Sequence, residues 1–184
     1  KDALNLTSEF RKTNQITPIV FMGYMNTFES LGAELFMKKA ADVGLDGVLI
    51  VDMPPEESSE FSKEAKRYGI DIIRLIAPTT AGDRAKKICS QCSGYVYYIS
   101  VKGITGAANL DSVDVKNKVS ELKQLTDLPI AIGFGIKDAK SAISVKDVAD
   151  GIVAGSVFVD LIGEGDNIIE KVSSKTKELS EALN

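Results

Sequence analysis

The sequence predicts a parallel α/β fold, and three observations carry the prediction. Six short apolar runs rich in β-branched and aromatic residues recur along the 184 residues. Most are nearly continuous rather than alternating, as strands covered on both faces are. Amphipathic helical patterns fill the intervals. Two helical stretches end in a glycine that leads at once into a strand, at Val43-Gly44-Leu45-Asp46 and Tyr68-Gly69-Ile70-Asp71. Such alternation implies right-handed crossovers and one parallel sheet.

The elements follow in order. An amphipathic helix over about residues 2–13 comes first, with no strand before it. The run PIVFMGYM (18–25) leads to a helix over Glu29–Val43, with Leu31, Leu35, Phe36 and Ala40 on one face. GVLIVD (47–52) precedes a helix over Glu57–Tyr68, and DIIRLIA (71–77) one over Asp83–Cys92. GYVYYISV (94–101) is followed by Asp114–Leu125, and PIAIGFG (129–135) by Ala139–Val148. GIVAGSV (151–157) leads to a last helix over about Asp166–Leu183, with Ile168, Ile169, Val172 and Leu179 inward. The connections are short and leave no obvious domain boundary. Six units suit a doubly wound open sheet. A barrel needs eight, in about 250 residues, so on that alternative the first two units are absent. Counting alone does not choose.

Composition narrows the function. Apolar residues make up 44% and charged residues 26%, the profile of a soluble globular protein. The net charge of -4 leaves no positive excess for a phosphate backbone, which argues against a nucleic-acid partner. No apolar run is long enough to suggest a membrane helix. There is no histidine, so a Ser-His-Asp triad, a His-based zinc site and a His proton shuttle are excluded within the chain. The first residue is Lys rather than Met, so the true N-terminus is expected upstream, and KDALNLTSEF lacks the order of a signal peptide.

In parallel α/β folds ligands bind beyond the C-terminal ends of the strands. Glycines dominate the last three of these ends: Lys102-Gly103-Ile104-Thr105-Gly106-Ala107, Gly133-Phe134-Gly135-Ile136 and Ala154-Gly155-Ser156. Backbone N–H groups reach an anion closely at glycines, and with a helix N-terminus they form a phosphate cradle. Neither a P-loop nor a G-x-G-x-x-G fingerprint is present, which disfavours a nucleoside triphosphate or dinucleotide. Lys102 stands where a Schiff-base lysine would, but reads more readily as a solvated loop residue. Cys89 and Cys92 have C-x-x-C spacing inside a helical pattern, as two reduced, partly buried thiols. Asp52, at a strand end, reads equally as an acid–base group and as part of the helix start Pro54-Pro55-Glu56-Glu57.

Six segments together resemble the tryptophan synthase α family: PIVFMGYMN (18–26), VDMPPEES (51–58), APTT (77–80), GYVYYISVKGITGA (94–107), DLPIAIGFGI (127–136) and VADGIVAGSVFV (148–159). The resemblance implies a (β/α)₈ TIM barrel, with residues 1–184 a single partial domain lacking the first two strand–helix units. It implies a carbon–carbon lyase of tryptophan biosynthesis, which cleaves indole-3-glycerol phosphate to indole and glyceraldehyde 3-phosphate by a retro-aldol reaction. The family's two catalytic carboxyls, a Glu and an Asp, are then expected upstream of Lys1, and Asp52 does not replace them. Tyr97 and Thr105 would support them.

The resemblance further implies substrate contacts at Met22, Leu49, Leu75, Tyr97, Thr105, Gly106, Gly133, Phe134, Gly135, Gly155 and Ser156. Phosphate would lie on the glycine-rich ends, and indole against the apolar side chains. Asn26, Asp52, Pro54 and Pro55 would lie at the contact with a β subunit in an α2β2 heterotetramer. Pyridoxal phosphate would belong to that partner, and this chain would need neither cofactor nor metal. A cytoplasmic location and no membrane or nucleic-acid partner are expected. Two alternatives are another phosphate-binding barrel, an isomerase or epimerase, and a catalytically silent binding fragment. Removing two of eight strands opens sheet edges, so these residues alone are expected neither to turn over substrate nor to fold stably.

Overall fold

At Ala40–Leu45 a helix hands over to a strand through a glycine in the left-handed region. Gly44 has φ +78°, its N–H donates to Ala41 C=O at 3.0 Å, and Leu45 N–H donates to Ala40 C=O at 2.9 Å. Gly69 repeats the device at φ +69°, with Ile70 N–H on Ala65 C=O at 2.9 Å. Both are the predicted terminating glycines, which close orphan carbonyls and turn the chain into a strand.

The structure is a computed structural model that describes residues 2–80, 82–100, 112–133 and 135–184. The helices are α1 (Asp2–Arg11), α2 (Met25–Glu29), α3 (Ala33–Asp42), α4 (Ser59–Arg67), α5 (Gly82–Ser90), α6 (Ser112–Lys123), α7 (Ala139–Ile143), α8 (Ser156–Gly163) and α9 (Ile168–Leu183). The strands are β1 (Val20–Gly23), β2 (Gly47–Ile50), β3 (Asp71–Ile76), β4 (Val96–Ile99), β5 (Ile130–Gly133) and β6 (Gly151–Val153). All six predicted strands are present. The chain falls into two compact units, residues 1–75 with 86–95 and residues 76–85 with 96–184.

In the first unit β1, β2 and β3 lie side by side and parallel, with Met22 opposite Leu49 and Leu49 opposite Ile73. Side chains alternate across a strand. Val48, Ile50 and Ile72 therefore face one way, into a cluster with Phe28, Phe36, Met37 and Phe61. Phe28 meets Phe36 edge-on with ring centroids 5.0 Å apart, a favoured aromatic geometry. Arg11 ties α1 to this unit: Nε donates to Gly44 C=O at 2.8 Å and Nη2 pairs with Asp46 at 2.6 Å. The same Asp46 carboxylate accepts from Ile19 N–H at 2.6 Å, just ahead of β1.

In the second unit β4, β5 and β6 are parallel, with Tyr97 opposite Ala131 and Gly133 opposite Val153. Val96, Tyr98, Ile130 and Ile132 share the buried face of β4 and β5. Along α6, Val115, Val119 and Leu122 form a buried stripe at helical spacing.

Several helix expectations change. The helix read over 29–43 starts only at Ala33: Gly32 at φ +76° separates α3 from α2, a short helix that ends at Glu29 and was not expected. Phe36 and Ala40 are buried as expected, whereas Leu31 and Leu35 are exposed. The helix read over 139–148 ends at Ile143. In α9, Leu179 is buried but Ile169 is 84% exposed, so the inward stripe does not include it. Residues 156 and 157, read as the end of the last strand, begin α8.

Candidate ligand-binding site

The glycines at the strand ends differ in why they are glycines. At Gly133, the last residue of β5, an added β-carbon would overlap the phenol ring of Tyr97, so only glycine fits beneath that ring. Tyr97 sits opposite Ala131, one position short of Gly133 on the same face, and its ring leans along the strand toward the C-terminal end. Gly135 requires glycine for a different reason, its φ of +77°. Gly155 requires it for neither: its φ is -122° and nothing stands within 4 Å of a built β-carbon.

Gly155 is the N-cap of α8 and Ser156 its first residue, with no side-chain hydrogen bond closing that end. Both residues are exposed. The free N–H groups of a helix start and the helix dipole favour an anion there. Tyr97, Gly133, Gly135, Gly155 and Ser156 thus all lie in the second unit, at or just beyond strand ends, save Tyr97, which reaches one from within β4.

In the first unit Met22, Leu49 and Leu75 lie on the strand face turned away from the aromatic cluster. Met22 and Leu49 are register partners, and Leu75 is two residues beyond Ile73, the partner of Leu49. Leu49 is buried, Leu75 half-buried and Met22 60% exposed. Met22 also lines a cleft of about 810 Å³ beside β1, with Leu4, Phe21, Phe28, Leu31 and Phe36. Volumes of this order accommodate small ligands. Thr105, Gly106 and Phe134, like Lys102, lie outside the described residues.

The residues read as a partner contact gather in the first unit. Asp52, just past β2, accepts a hydrogen bond from Met25 N–H at 2.6 Å. It thereby closes the start of α2, whose own N-cap Tyr24 supplies no side-chain bond. Asn26, the next residue of α2, is exposed, as is Asp52. Pro54 is half-buried and Pro55 buried, its carbonyl accepting from the Ser58 hydroxyl at 3.0 Å. The capping bond gives Asp52 a structural occupation that sequence reasoning missed, since it joins residues 27 positions apart.

Both cysteines are thiols, Cys89 buried in α5 and Cys92 half-buried two residues past its end. The Cys92 thiol donates to Tyr95 C=O at 3.0 Å, and burial pushes it up to about 11, despite a backbone hydrogen bond from Arg74. A thiol held protonated is a poor nucleophile and a poor metal ligand. Among the described residues no group of three His, Cys, Asp or Glu side chains could hold a metal ion. No helix among them is long and apolar enough to cross a membrane.

The sequence model of the tryptophan synthase alpha chain family matches residues 1–184. A tryptophan synthase alpha chain from Acinetobacter baumannii is 44% identical over 184 residues, covering 99% of this chain and 69% of that protein. One from Marinobacter nauticus is 47% identical over 162 residues, 88% of this chain and 60% of its own length. Among solved structures, the alpha chain from Legionella pneumophila superposes with a TM-score of 0.87 at 32% identity, covering 99% of this chain and 68% of that one. A chain from the tryptophan synthase α2β2 complex of Pyrococcus furiosus gives 0.89 at 34% identity, covering 97% and 73%. These likenesses favour neither the isomerase nor the epimerase alternative, and they resolve the strand count in favour of six units of a (β/α)₈ barrel. The chain belongs to the tryptophan synthase alpha chain family, carbon–carbon lyases of tryptophan biosynthesis.

Proposed function

We propose that this chain supplies the substrate-gripping and partner-docking parts of a lyase that cleaves indole-3-glycerol phosphate to indole and glyceraldehyde 3-phosphate. The observation that carries the reading is the 44% identity to an alpha chain over 184 residues. Cleavage of that carbon–carbon bond requires a proton delivered to the indole ring carbon and one removed from the glycerol hydroxyl. Two positioned carboxyl groups can do both. Both are assigned upstream of Lys1, and no residue of this chain takes either role.

The substrate phosphate is assigned to the exposed start of α8 at Gly155 and Ser156, to the backbone at Gly133 and Gly135, and to Gly106. The indole ring is assigned to Met22, Leu49, Leu75, Tyr97 and Phe134. Tyr97 and Thr105 are assigned a supporting role beside the two carboxyls. Asn26, Asp52, Pro54 and Pro55 form part of the contact with the β subunit, which carries pyridoxal phosphate, in a cytoplasmic α2β2 assembly.

The test is indole release from indole-3-glycerol phosphate by the protein made from its complete natural reading frame, with and without the β subunit. Turnover in either condition supports the reading. Binding of triose or pentose phosphates with no response to indole-bearing ligands overturns it. The 184 residues alone are expected to release no indole.

A further inference from the structure

Arg74 on β3 is 4% exposed, yet among the described residues no carboxylate pairs with it. Its Nη1 donates to Met53 C=O at 3.2 Å, and its Nη2 approaches the Ser62 hydroxyl of α4 at 3.4 Å. The Nε–H is buried without a hydrogen-bond partner. A buried guanidinium so placed is costly, since desolvation is offset only by neutral acceptors.

What Arg74 does hold is the loop between β2 and α4. Met53 directly follows Asp52, whose carboxylate closes the start of α2. We propose that Arg74 is a positioning residue: it grips the Met53 carbonyl from beneath, fixes Asp52 against Met25, and so shapes the surface carrying Asn26 and Pro54. This rests on the docking role proposed above for that surface. Arg74 stabilises the loop at the expense of the core beneath it.

The test compares Arg74→Met with the unsubstituted protein, both made from the complete reading frame. Three quantities are measured: thermal midpoint, amide hydrogen exchange at residues 51–58 and Met25, and affinity for the β subunit. Methionine removes the charge and all donors while filling most of the volume. The midpoint is expected to stay or rise, exchange in the loop and at Met25 to quicken about tenfold, and the affinity to fall about tenfold.

A midpoint that falls, or a variant that fails to fold, makes Arg74 a structural residue and overturns the proposal. So does loop exchange that stays unchanged. If the unsubstituted protein does not bind the β subunit, the docking role fails, and the exchange comparison still decides whether Arg74 holds the loop.

Discussion

The Tyr97 ring crosses directly over Gly133, so the side chain of one strand occupies the space a β-carbon would need on the next. The two residues are 36 positions apart in sequence, and neither constrains the other until β4 and β5 pair. Replacing Gly133 with Ala forces the ring aside. The overpacking is expected to cost about 2 kcal/mol, and ligand affinity should fall as well. In a Tyr97→Ala background the same change should be nearly neutral. Thermal or urea unfolding of the four proteins of the cycle measures the coupling, and additive effects would mean the two residues do not touch.

Asp52→Ala removes the acceptor for Met25 N–H and leaves α2 without a side-chain partner at its start. The loss is expected to be about 1 kcal/mol, concentrated in α2. Faster amide exchange at Met25 with little change at β3 is the readout. Uniform exchange across the first unit would contradict a local capping role.

Two carboxylates of the second unit set an acid limit. The Asp138 carboxyl is held below the usual range by the backbone N–H of Ser141, which it caps in α7, and by the Ser141 hydroxyl. The Asp150 carboxyl is lowered by the Ile130 N–H, at 2.9 Å, and by Lys123. A depressed folded pKa contributes stability above the unfolded value, about 3.9, and loses it as pH falls through the folded value. Melting between pH 5 and pH 2.5, approximate bounds set around that value, should show a steeper loss for the unsubstituted protein than for Asp138→Asn or Asp150→Asn. Parallel curves would exclude the linkage.

Cys92, pushed up to about 11 by burial, should resist thiol reagents in the folded protein. Labelling at pH 8 is expected to be at least about a hundredfold slower than in denaturant, where an unperturbed thiol has a pKa of about 8.5. Cys89, buried in α5, should be slower still. Rapid labelling of either under native conditions would contradict the burial on which this rests.

Much of the fold was legible because its determinants are local. Each predicted strand holds its observed counterpart, and Gly44 and Gly69 end helices where the sequence placed them. The break at Gly32 was less legible, because the apolar spacing of Glu29–Val43 continues through a glycine whose positive φ no periodicity reveals. In the same way, Ser156 and Val157 read as the end of a strand, although α8 begins there.

The sequence by itself determined the order of strands and helices, the glycine turns, the exclusion of histidine chemistry and the family. Tertiary structure alone decided that Tyr97 covers Gly133, that Asp52 caps α2, and that Arg74 reaches the Met53 carbonyl beneath the loop. Patterns along a chain report which face a residue takes, whereas its neighbour across strands depends on pairing register, which fixes distant side chains only once the sheet has formed.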